Sequence, residues 1–213
     1  QERKEAAIDP AEFGTYVHAV LENSARRIGE LGGFHSVSLE ETLKIAHGFS
    51  EEYAREHFSQ IESERVTYLF RRHIQELDMV VRELWQELSQ AAFAPAGFEV
   101  GFGDGEGLPP IPIPNGGMNA VLRGFIDRVD TWDNGASRYY RVVDYKTGKK
   151  DFDYCDVFNG VGLQMLLYMF ALKSSGSDML GDRPVAAGVQ YFPARAPYLT
   201  SDGKLTAEEA EQE

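Results

Sequence analysis

The chain has one cysteine, no long apolar run and no apolar segment after its first residues. A single cysteine, Cys155, excludes an intrachain disulfide framework and a zinc or iron–sulfur site made from the cysteines of this chain alone. No apolar run approaches the ~20 residues needed to span a bilayer, so we expect no membrane partner. The missing signal core and the lone cysteine together favour a reducing, cytoplasmic setting.

Basic residues are also scarce, since 21 Lys and Arg face 34 Asp and Glu and leave a net charge of −13. That balance argues against strong autonomous binding to nucleic acid, because contacts to phosphate supply most of such affinity. The charge is uneven, however, because residues 123–150 hold seven basic and four acidic side chains. The middle of the chain is therefore locally basic within an acidic protein.

What the chain does have is a helical first part. Asp9, followed by proline, is typical of a helix start, and Gly32 is typical of a helix end. Ser38 opens a capping box for a second helix that runs to about His57. An apolar stripe at helical spacing predicts a third helix over residues 63–93. We therefore expect the first ninety residues to be helical.

Beyond residue 95 the pattern changes to the alternation that is typical of strands. We predict strands over residues 98–102, 122–129, 141–148 and 185–192 and one more helix over residues 157–172. Residues 103–117, rich in glycine and proline, are predicted to form a loop. The Asn134-Gly135 pair is a strong hairpin signal and makes the second and third strands antiparallel neighbours. These elements predict an α/β fold, with a mixed central sheet flanked by helices and a mostly helical N-terminal region.

The length of 213 residues suits a single domain with a proper core. We divide it into a helical region over residues 1–95, an α/β core over residues 96–195 and a polar, acidic tail over residues 196–213. Because the chain begins with Gln1 rather than methionine, we expect it to be a piece of a longer polypeptide.

Two carboxylates and one ammonium fall on the two strands that the hairpin joins. Side chains alternate between the faces of a strand, so Asp144 and Lys146 point the same way, and pairing brings Asp127 of the neighbouring strand close to them. Carboxylates and water are ligands that Mg²⁺ prefers, and a nearby lysine orients an attacking water and offsets charge. The simpler interpretation is a cross-strand ion pair on a solvated face, since Asp-x-Lys is short and common.

Four short motifs surround these residues in the chain. They are Gly-x-x-x-His ending at His18, GFIDRV over residues 124–129, VVDYKTG over residues 142–148, and QMLLY over residues 164–168. Together they resemble the RecB-like branch of the PD-(D/E)XK nuclease superfamily, and most closely the nuclease domain of AddB-type helicase–nuclease subunits. The resemblance covers about residues 10–195 and implies a restriction-endonuclease-like fold.

The resemblance also implies a metal centre. His18, Asp127 and Asp144 would be metal ligands, and the backbone carbonyl of Tyr145 would be a further ligand. Lys146 would be the catalytic lysine, acting beside the two aspartates.

Three other residues take roles from the resemblance. Gln164 and Tyr168 would line the DNA-binding side of the cleft. Glu99 lies where many relatives carry an acidic residue, so it either reaches the site or is a carboxylate at the rim. AddB-type nuclease domains commonly hold an iron–sulfur cluster on four cysteines that lie before and after the domain. Cys155 lies within the α/β core region, residues 96–195, and not at such a position, so we expect no such cluster in this chain.

The activity implied by the resemblance is Mg²⁺- or Mn²⁺-dependent hydrolysis of DNA, as the exonuclease module of a helicase–nuclease used in recombinational repair. Its partners would be DNA and a helicase domain or subunit of a larger complex. Two other interpretations remain open: a catalytically silent DNA-binding module and a scaffold domain of a repair assembly. The complete set of His18, Asp127, Asp144 and Lys146 argues against the first, and binding of Mn²⁺ distinguishes the nuclease from the second.

Overall fold

The computed structural model of the chain describes residues 10–57, 63–103, 107–115, 118–148, 153–159, 162–181 and 183–195. Within these ranges the helices are α1 (Pro10–Glu30), α2 (Leu39–His57), α3 (Ser63–Gln90), α4 (Tyr154–Phe158), α5 (Gln164–Ser175) and α6 (Ser177–Leu180). The strands are β1 (Ala94–Phe102), β2 (Ile111–Asn115), β3 (Met118–Leu122), β4 (Gly124–Asp133), β5 (Arg138–Lys146) and β6 (Pro184–Pro193). The predicted acidic tail over residues 196–213 lies outside the described residues. In the described part of the chain, no helix has the length and apolarity that crossing a membrane requires.

A mixed four-stranded sheet forms the centre of the fold, in the order β1-β4-β5-β6. Strands β1, β4 and β5 are antiparallel neighbours, whereas β5 and β6 are parallel. A parallel neighbour requires a crossover connection, and α4 to α6 supply it. The turn at Asn134 and Gly135 joins β4 to β5 as predicted, with Gly135 at a φ of 85° that suits glycine. The predicted α/β class and mixed sheet are confirmed.

The two faces of the sheet are covered by different helices. Val143 and Tyr145 of β5 belong to the core cluster that α1, α2 and α3 form. Val142, whose side chain points to the opposite face, belongs to a second cluster with Met165 and Tyr168 of α5. Because side chains of a strand alternate, β5 contributes to both cores. The N-terminal helices thus cover one face of the sheet and α5 covers the other, which fits the predicted sheet flanked by helices.

Local sequence signals explain the helical boundaries. Helix α1 ends just before Gly32, whose φ of 100° suits glycine and not other residues. Helix α2 begins after Ser38, whose Oγ accepts a hydrogen bond from the N–H of Glu41 at 3.2 Å. The N-cap predicted at Asp9 lies outside the described residues. Helix α3 ends at Gln90 rather than at residue 93, because the chain already enters β1 at Ala94.

The loop predicted over residues 103–117 is wrong in its second half, where β2 pairs with β3 in a separate two-stranded sheet. Prolines at positions 112 and 114 masked this strand, since proline cannot donate to a ladder. The two prolines are two residues apart, and successive N–H groups of a strand point to opposite edges. Both missing N–H groups therefore belong to the same edge of β2, and the other edge keeps its donors. The prediction also joined Leu122 to β4, whereas Arg123 separates β3 from β4. Residues 104–106 and 116–117 lie outside the described residues.

The helix predicted over residues 157–172 is also corrected. Helix α4 ends at Phe158, and α5 begins only at Gln164. The sequence between them contains Gly160 and Gly162, and glycine is unfavourable in a helix interior. Gly162 has a φ of 70°, which a right-handed helix does not allow.

Candidate metal centre

Three elements bring metal-ligating side chains to one point. His18 of α1, Glu99 of β1 and Asp127 of β4 each offer one ligand atom, and these atoms all lie within 4.8 Å of one another. The antiparallel register of β1 and β4 explains why Glu99 and Asp127 are close, because the pairs Phe98↔Arg128 and Val100↔Ile126 place these two residues opposite each other. Directly opposite residues of an antiparallel pair project to the same face.

His18 connects helix α1 to the end of β5. Its Nε2 lies 3.1 Å from the carbonyl oxygen of Tyr145, which accepts the hydrogen bond, and its Nδ1 lies 3.8 Å from Oδ2 of Asp127. The imidazole also meets the ring of Tyr145 edge-on at 5.3 Å. The helix therefore presents His18 to two of the groups that were predicted to hold the metal.

Asp127 lies where β4 and β5 separate. The last described pair of this ladder is Arg128↔Val143, and beyond it Oδ2 of Asp127 accepts a hydrogen bond from the N–H of Tyr145 at 2.7 Å. A side-chain carboxylate thus takes the place of a backbone acceptor. Burial raises the pKa of Asp127 and the negative charge of Asp144 adds to that effect, while His18, the Tyr145 N–H and Lys146 oppose it.

Asp144 and Lys146 form an ion pair at the C-terminal end of β5. The carboxylate of Asp144 is buried, whereas about a third of the Lys146 side chain is exposed. Oδ2 of Asp144 accepts no hydrogen bond of good geometry from the described residues, although the ammonium lies against it. The two side chains point the same way, as the alternation predicts, and both act on the pKa of Asp127. Asp144 is nevertheless outside the group within 4.8 Å that His18, Glu99 and Asp127 form.

Glu99 holds an unusual backbone conformation. Its φ is 47°, and among the described residues it is the one non-glycine residue with a positive φ. The β1–β4 register shifts between Pro95 and Gly97, shortly before it. Partial burial raises the pKa of its carboxyl group, and the nearby charges of Asp127 and Glu22 add to the effect. Strained backbone of this kind tends to occur at functional sites, and whether Glu99 acts in the site or at its rim stays a prediction.

The side chains present fit a divalent cation. We define the metal-site cluster as His18, Glu99, Asp127, Asp144 and Lys146. Counting the imidazole as neutral, it holds three carboxylates against one ammonium, an excess of two negative charges. Carboxylate and carbonyl oxygens are the donors that Mg²⁺ and Mn²⁺ prefer, and imidazole is a common additional metal ligand. The buried Oδ2 of Asp144, which lies against the ammonium of Lys146 but accepts no hydrogen bond of good geometry from the described residues, is a further oxygen donor.

Gln164 and Tyr168 lie one turn apart on α5, as predicted, and they contact each other. Nε2 of Gln164 donates a hydrogen bond to the hydroxyl of Tyr168. The ring of Tyr168 is buried and meets Phe102 edge-on at 5.2 Å, while Gln164 is exposed. The Tyr168 hydroxyl lies 3.3 Å from the position that a Cβ at Gly124 would take, at the start of β4. The DNA-binding role of the pair stays a prediction.

Sequence reasoning missed a second set of polar residues beside the site. We define the Arg128 network as Glu87, Arg128, Asp130, Arg141 and Gln190. Arg128 and Asp130 are fully buried, and both alternate toward the face that carries Val143. The available signal was two charged residues at alternating positions of a strand, which were counted only as charges.

Comparisons with known proteins identify the family of the chain. The family model described as the PD-(D/E)XK nuclease superfamily matches residues 1–213. An ATP-dependent helicase/deoxyribonuclease subunit of Clostridium novyi (strain NT) is 34% identical to the chain over 222 residues, which cover 100% of this chain and 19% of that relative. The protein with the same description from Acetivibrio thermocellus is 32% identical over 223 residues, again covering 100% of this chain and 19% of the relative. The chain therefore spans about a fifth of the length of the curated relatives it matches.

Proposed function

The chain belongs to the PD-(D/E)XK nuclease superfamily, and from this premise we propose that it hydrolyses phosphodiester bonds of DNA with Mg²⁺ or Mn²⁺. The observation that carries the proposal is the convergence of His18, Glu99 and Asp127 within 4.8 Å beside the ion pair of Asp144 and Lys146. An excess of carboxylate at one point is unfavourable unless a cation binds there.

The side chains of His18, Asp127 and Asp144 and the backbone carbonyl of Tyr145 would hold the cation. Glu99 joins them in the proposal because its carboxylate lies within the same 4.8 Å group. The chemistry that such a cation supplies when bound is Lewis acidity toward water and toward a phosphate oxygen.

The protein's own groups orient the reactants around that centre. The Tyr145 N–H fixes the carboxylate of Asp127 at 2.7 Å, so this ligand is held in one orientation before anything binds. Asp144 holds the ammonium of Lys146 at the edge of the site. From there Lys146 donates hydrogen bonds to the attacking water and to the phosphate, which offsets negative charge as it develops.

Gln164 and Tyr168 are proposed to contact the DNA, with Gln164 exposed and Tyr168 fixing its orientation. We further propose that residues 10–195 act as the nuclease module of a longer helicase–nuclease that functions in recombinational repair. The relatives' description as subunits of an ATP-dependent helicase/deoxyribonuclease supports this assignment, and so does the fraction of their length that the chain matches. DNA and a helicase domain or subunit are then the partners of the chain.

Calorimetric titration with Mn²⁺, followed by cleavage of end-labelled DNA, tests the proposal. We expect the wild-type chain to bind Mn²⁺ and to cut DNA only when the cation is present. Asp127→Asn should weaken Mn²⁺ binding at least tenfold and remove cleavage, because the variant loses a charged ligand while retaining an acceptor for the Tyr145 N–H. The matched control is Asp133→Asn, which alters an exposed carboxylate on the same strand.

Equal binding and cleavage by wild type and Asp127→Asn would overturn the assignment of the site. Binding of DNA without cleavage, at any Mn²⁺ concentration, would favour the catalytically silent module. Absence of both Mn²⁺ and DNA binding would favour the scaffold.

A further inference from the structure

Arg128 is a fully buried guanidinium whose nearest partner is an aspartate on its own strand. Its Nε and one of its terminal nitrogens donate to the two oxygens of Asp130, at 2.7 and 3.0 Å. A two-pronged arginine–carboxylate contact of this kind fixes the orientation of the guanidinium plane as well as its position. The contact with Asp130 therefore also fixes the direction in which the remaining terminal nitrogen of Arg128 points.

The other arm of the fork reaches Tyr145. Its terminal nitrogen donates to the Tyr145 hydroxyl at 3.1 Å, and the guanidinium carbon lies 5.5 Å from the centre of the Tyr145 ring. The ring is itself buried and meets Phe192 of β6 edge-on at 5.6 Å. The side chain of Tyr145 is thus held at its hydroxyl and along its ring.

The backbone of the same residue contacts the metal-site cluster. The Tyr145 N–H donates to Asp127 at 2.7 Å, and the Tyr145 carbonyl oxygen accepts from His18 at 3.1 Å. One residue therefore carries the Arg128 network on its side chain and two of the proposed metal ligands on its peptide groups. A shift or rotation of the ring is transmitted to those peptide groups through the Cα of Tyr145.

We propose that Arg128 is a positioning residue for the metal centre, which acts through Tyr145 by fixing the peptide groups that orient Asp127 and His18. This inference rests on the proposed function, because the centre it serves is the one proposed there. In this role Arg128 touches neither the cation nor the DNA.

Arg141 supplies a matched control within the same network. It donates to Asp130 at 2.8 Å and pairs with Glu87, as Arg128 does, and Glu87 also accepts from Gln190 at 3.2 Å. None of the hydrogen bonds of Arg141 in the described residues goes to Tyr145. Loss of either arginine unbalances the same pair of carboxylates, but only loss of Arg128 releases the ring of Tyr145.

The first experiment is hydrogen exchange of the Tyr145 amide by NMR in the metal-free 213-residue chain. In Arg128→Lys we expect the Tyr145 amide to exchange at least tenfold faster relative to that of Val142 on the same strand, because the lysine keeps the charge but lacks the fork. In Arg141→Met we expect the same ratio to stay within twofold of wild type.

Tyr145→Phe keeps the proposal testable if Arg128→Lys does not fold. This variant leaves the bonds between Arg128 and Asp130 in place and removes only the hydroxyl, so the exchange ratio should rise about threefold or more. An unchanged ratio in Tyr145→Phe, or in a folded Arg128→Lys variant, would overturn the proposal, as would an equal rise in Arg141→Met.

Mn²⁺ titration of the same variants connects positioning to the site. Arg128→Lys and Tyr145→Phe should weaken Mn²⁺ binding about fivefold, whereas Arg141→Met should bind within twofold of wild type. If wild type binds no Mn²⁺, the proposed function fails, while the exchange ratios still decide whether Arg128 holds the Tyr145 peptide. Loosened exchange with wild-type Mn²⁺ affinity would overturn the positioning role.

Discussion

Asp127 and Arg128 are neighbours on β4, yet they enter two charged clusters that differ in design. In the Arg128 network, two guanidinium groups pair with two carboxylates, and each charged group has a partner within the network. In the metal-site cluster, three carboxylates are present with one ammonium, which pairs with Asp144, and a buried oxygen of Asp144 accepts no hydrogen bond of good geometry from the described residues. Tyr145 lies between them, with its hydroxyl in one and its backbone in the other.

Under the proposed function, the difference separates charge that stabilises the fold from charge that binds a cation. A balanced, hydrogen-bonded set of buried ions avoids the large penalty of an unpaired buried charge. The metal-site cluster keeps part of that penalty, which is visible as the raised pKa of both Glu99 and Asp127. A cation that binds there removes the penalty, so the imbalance contributes to affinity.

The largest effect that would sharpen this comparison is expected at Lys146. Lys146→Ala should reduce the rate of DNA cleavage about 10³-fold, since one donor aimed at developing charge contributes on that order. Mn²⁺ binding should be retained or tightened, because a positive charge leaves the cluster. Single-turnover cleavage at saturating Mn²⁺, with calorimetry of the same sample, measures both. Cleavage within tenfold of wild type would remove Lys146 from the mechanism.

The next largest effect is expected on the balanced side, at Asp130. Asp130→Ala leaves two buried or half-buried guanidinium groups short of a partner and should lower the free energy of unfolding by roughly 3 kcal/mol. Urea unfolding followed by circular dichroism measures the change, with Asp133→Ala as an exposed control expected to change it by less than about 1 kcal/mol. Similar losses in the two variants would mean that the Arg128 network contributes little to stability.

The pH dependence of Mn²⁺ binding tests the carboxylates of the metal-site cluster. Burial raises the pKa of Asp127 above its ordinary value of 3.8, and that of Glu99 above 4.5. A cation binds the deprotonated forms, so protons compete with it as the pH falls, and the competition begins above those ordinary values. We expect Mn²⁺ affinity to decline on acidification, by up to about tenfold per pH unit for each carboxylate that has become protonated.

The same titration on Asp127→Asn provides the check. The variant should bind Mn²⁺ more weakly at neutral pH and lose affinity less steeply on acidification, because one competing proton is removed. An identical slope in both proteins would show that Asp127 does not titrate with cation binding.

The smallest expected effect concerns the strained residue of the metal-site cluster. A left-handed conformation costs a non-glycine residue about 1–2 kcal/mol, and glycine adds a folding entropy cost of about 0.5–1 kcal/mol. Glu99→Gly should therefore raise the free energy of unfolding of the metal-free chain by about 0.5 kcal/mol. Glu99→Gln keeps the strain and removes the charge, so both variants should lose Mn²⁺ affinity while only the glycine variant gains from strain relief. Equal thermal midpoints for the two metal-free variants would contradict this explanation.

The parts of the fold that sequence predicted well depend on local signals. Alternation placed Asp144 and Lys146 on one side of β5, and the Asn134-Gly135 turn fixed its neighbour, because both patterns act over a few residues. Glu99 was harder to assign, because its position depends on a register shift and a positive φ. Neither feature can be predicted from a glutamate in the sequence. The strand β2 was missed because its prolines are compatible with one edge of a strand but not the other.

The Arg128 network shows a different limit of sequence reasoning. Arg128 and Asp130 lie two residues apart, but their burial depends on Glu87 of α3, which is distant in sequence. Pairing of buried charges is a tertiary property, and strand periodicity alone gave no reason to expect a partner from a helix. The partners of His18 are also distant in sequence, so its place in the site was predicted from the family resemblance and not from helix periodicity.

The core that supports the site joins the first described helix to the last strand, and this has a consequence for the order of folding. His18 and Tyr145 are separated by 127 residues, and Phe192 and Ala194 complete the cluster that α1 begins. At a synthesis rate of about 5–20 residues per second, His18 leaves the ribosome roughly 6 to 25 s before its partner. Until β5 and β6 have been synthesised, the apolar side chains of α1 lack their contacts with Tyr145 and Phe192. Within the described part of the chain, the proposed cation site therefore forms late, because it needs His18 of the first helix together with Tyr145 of β5.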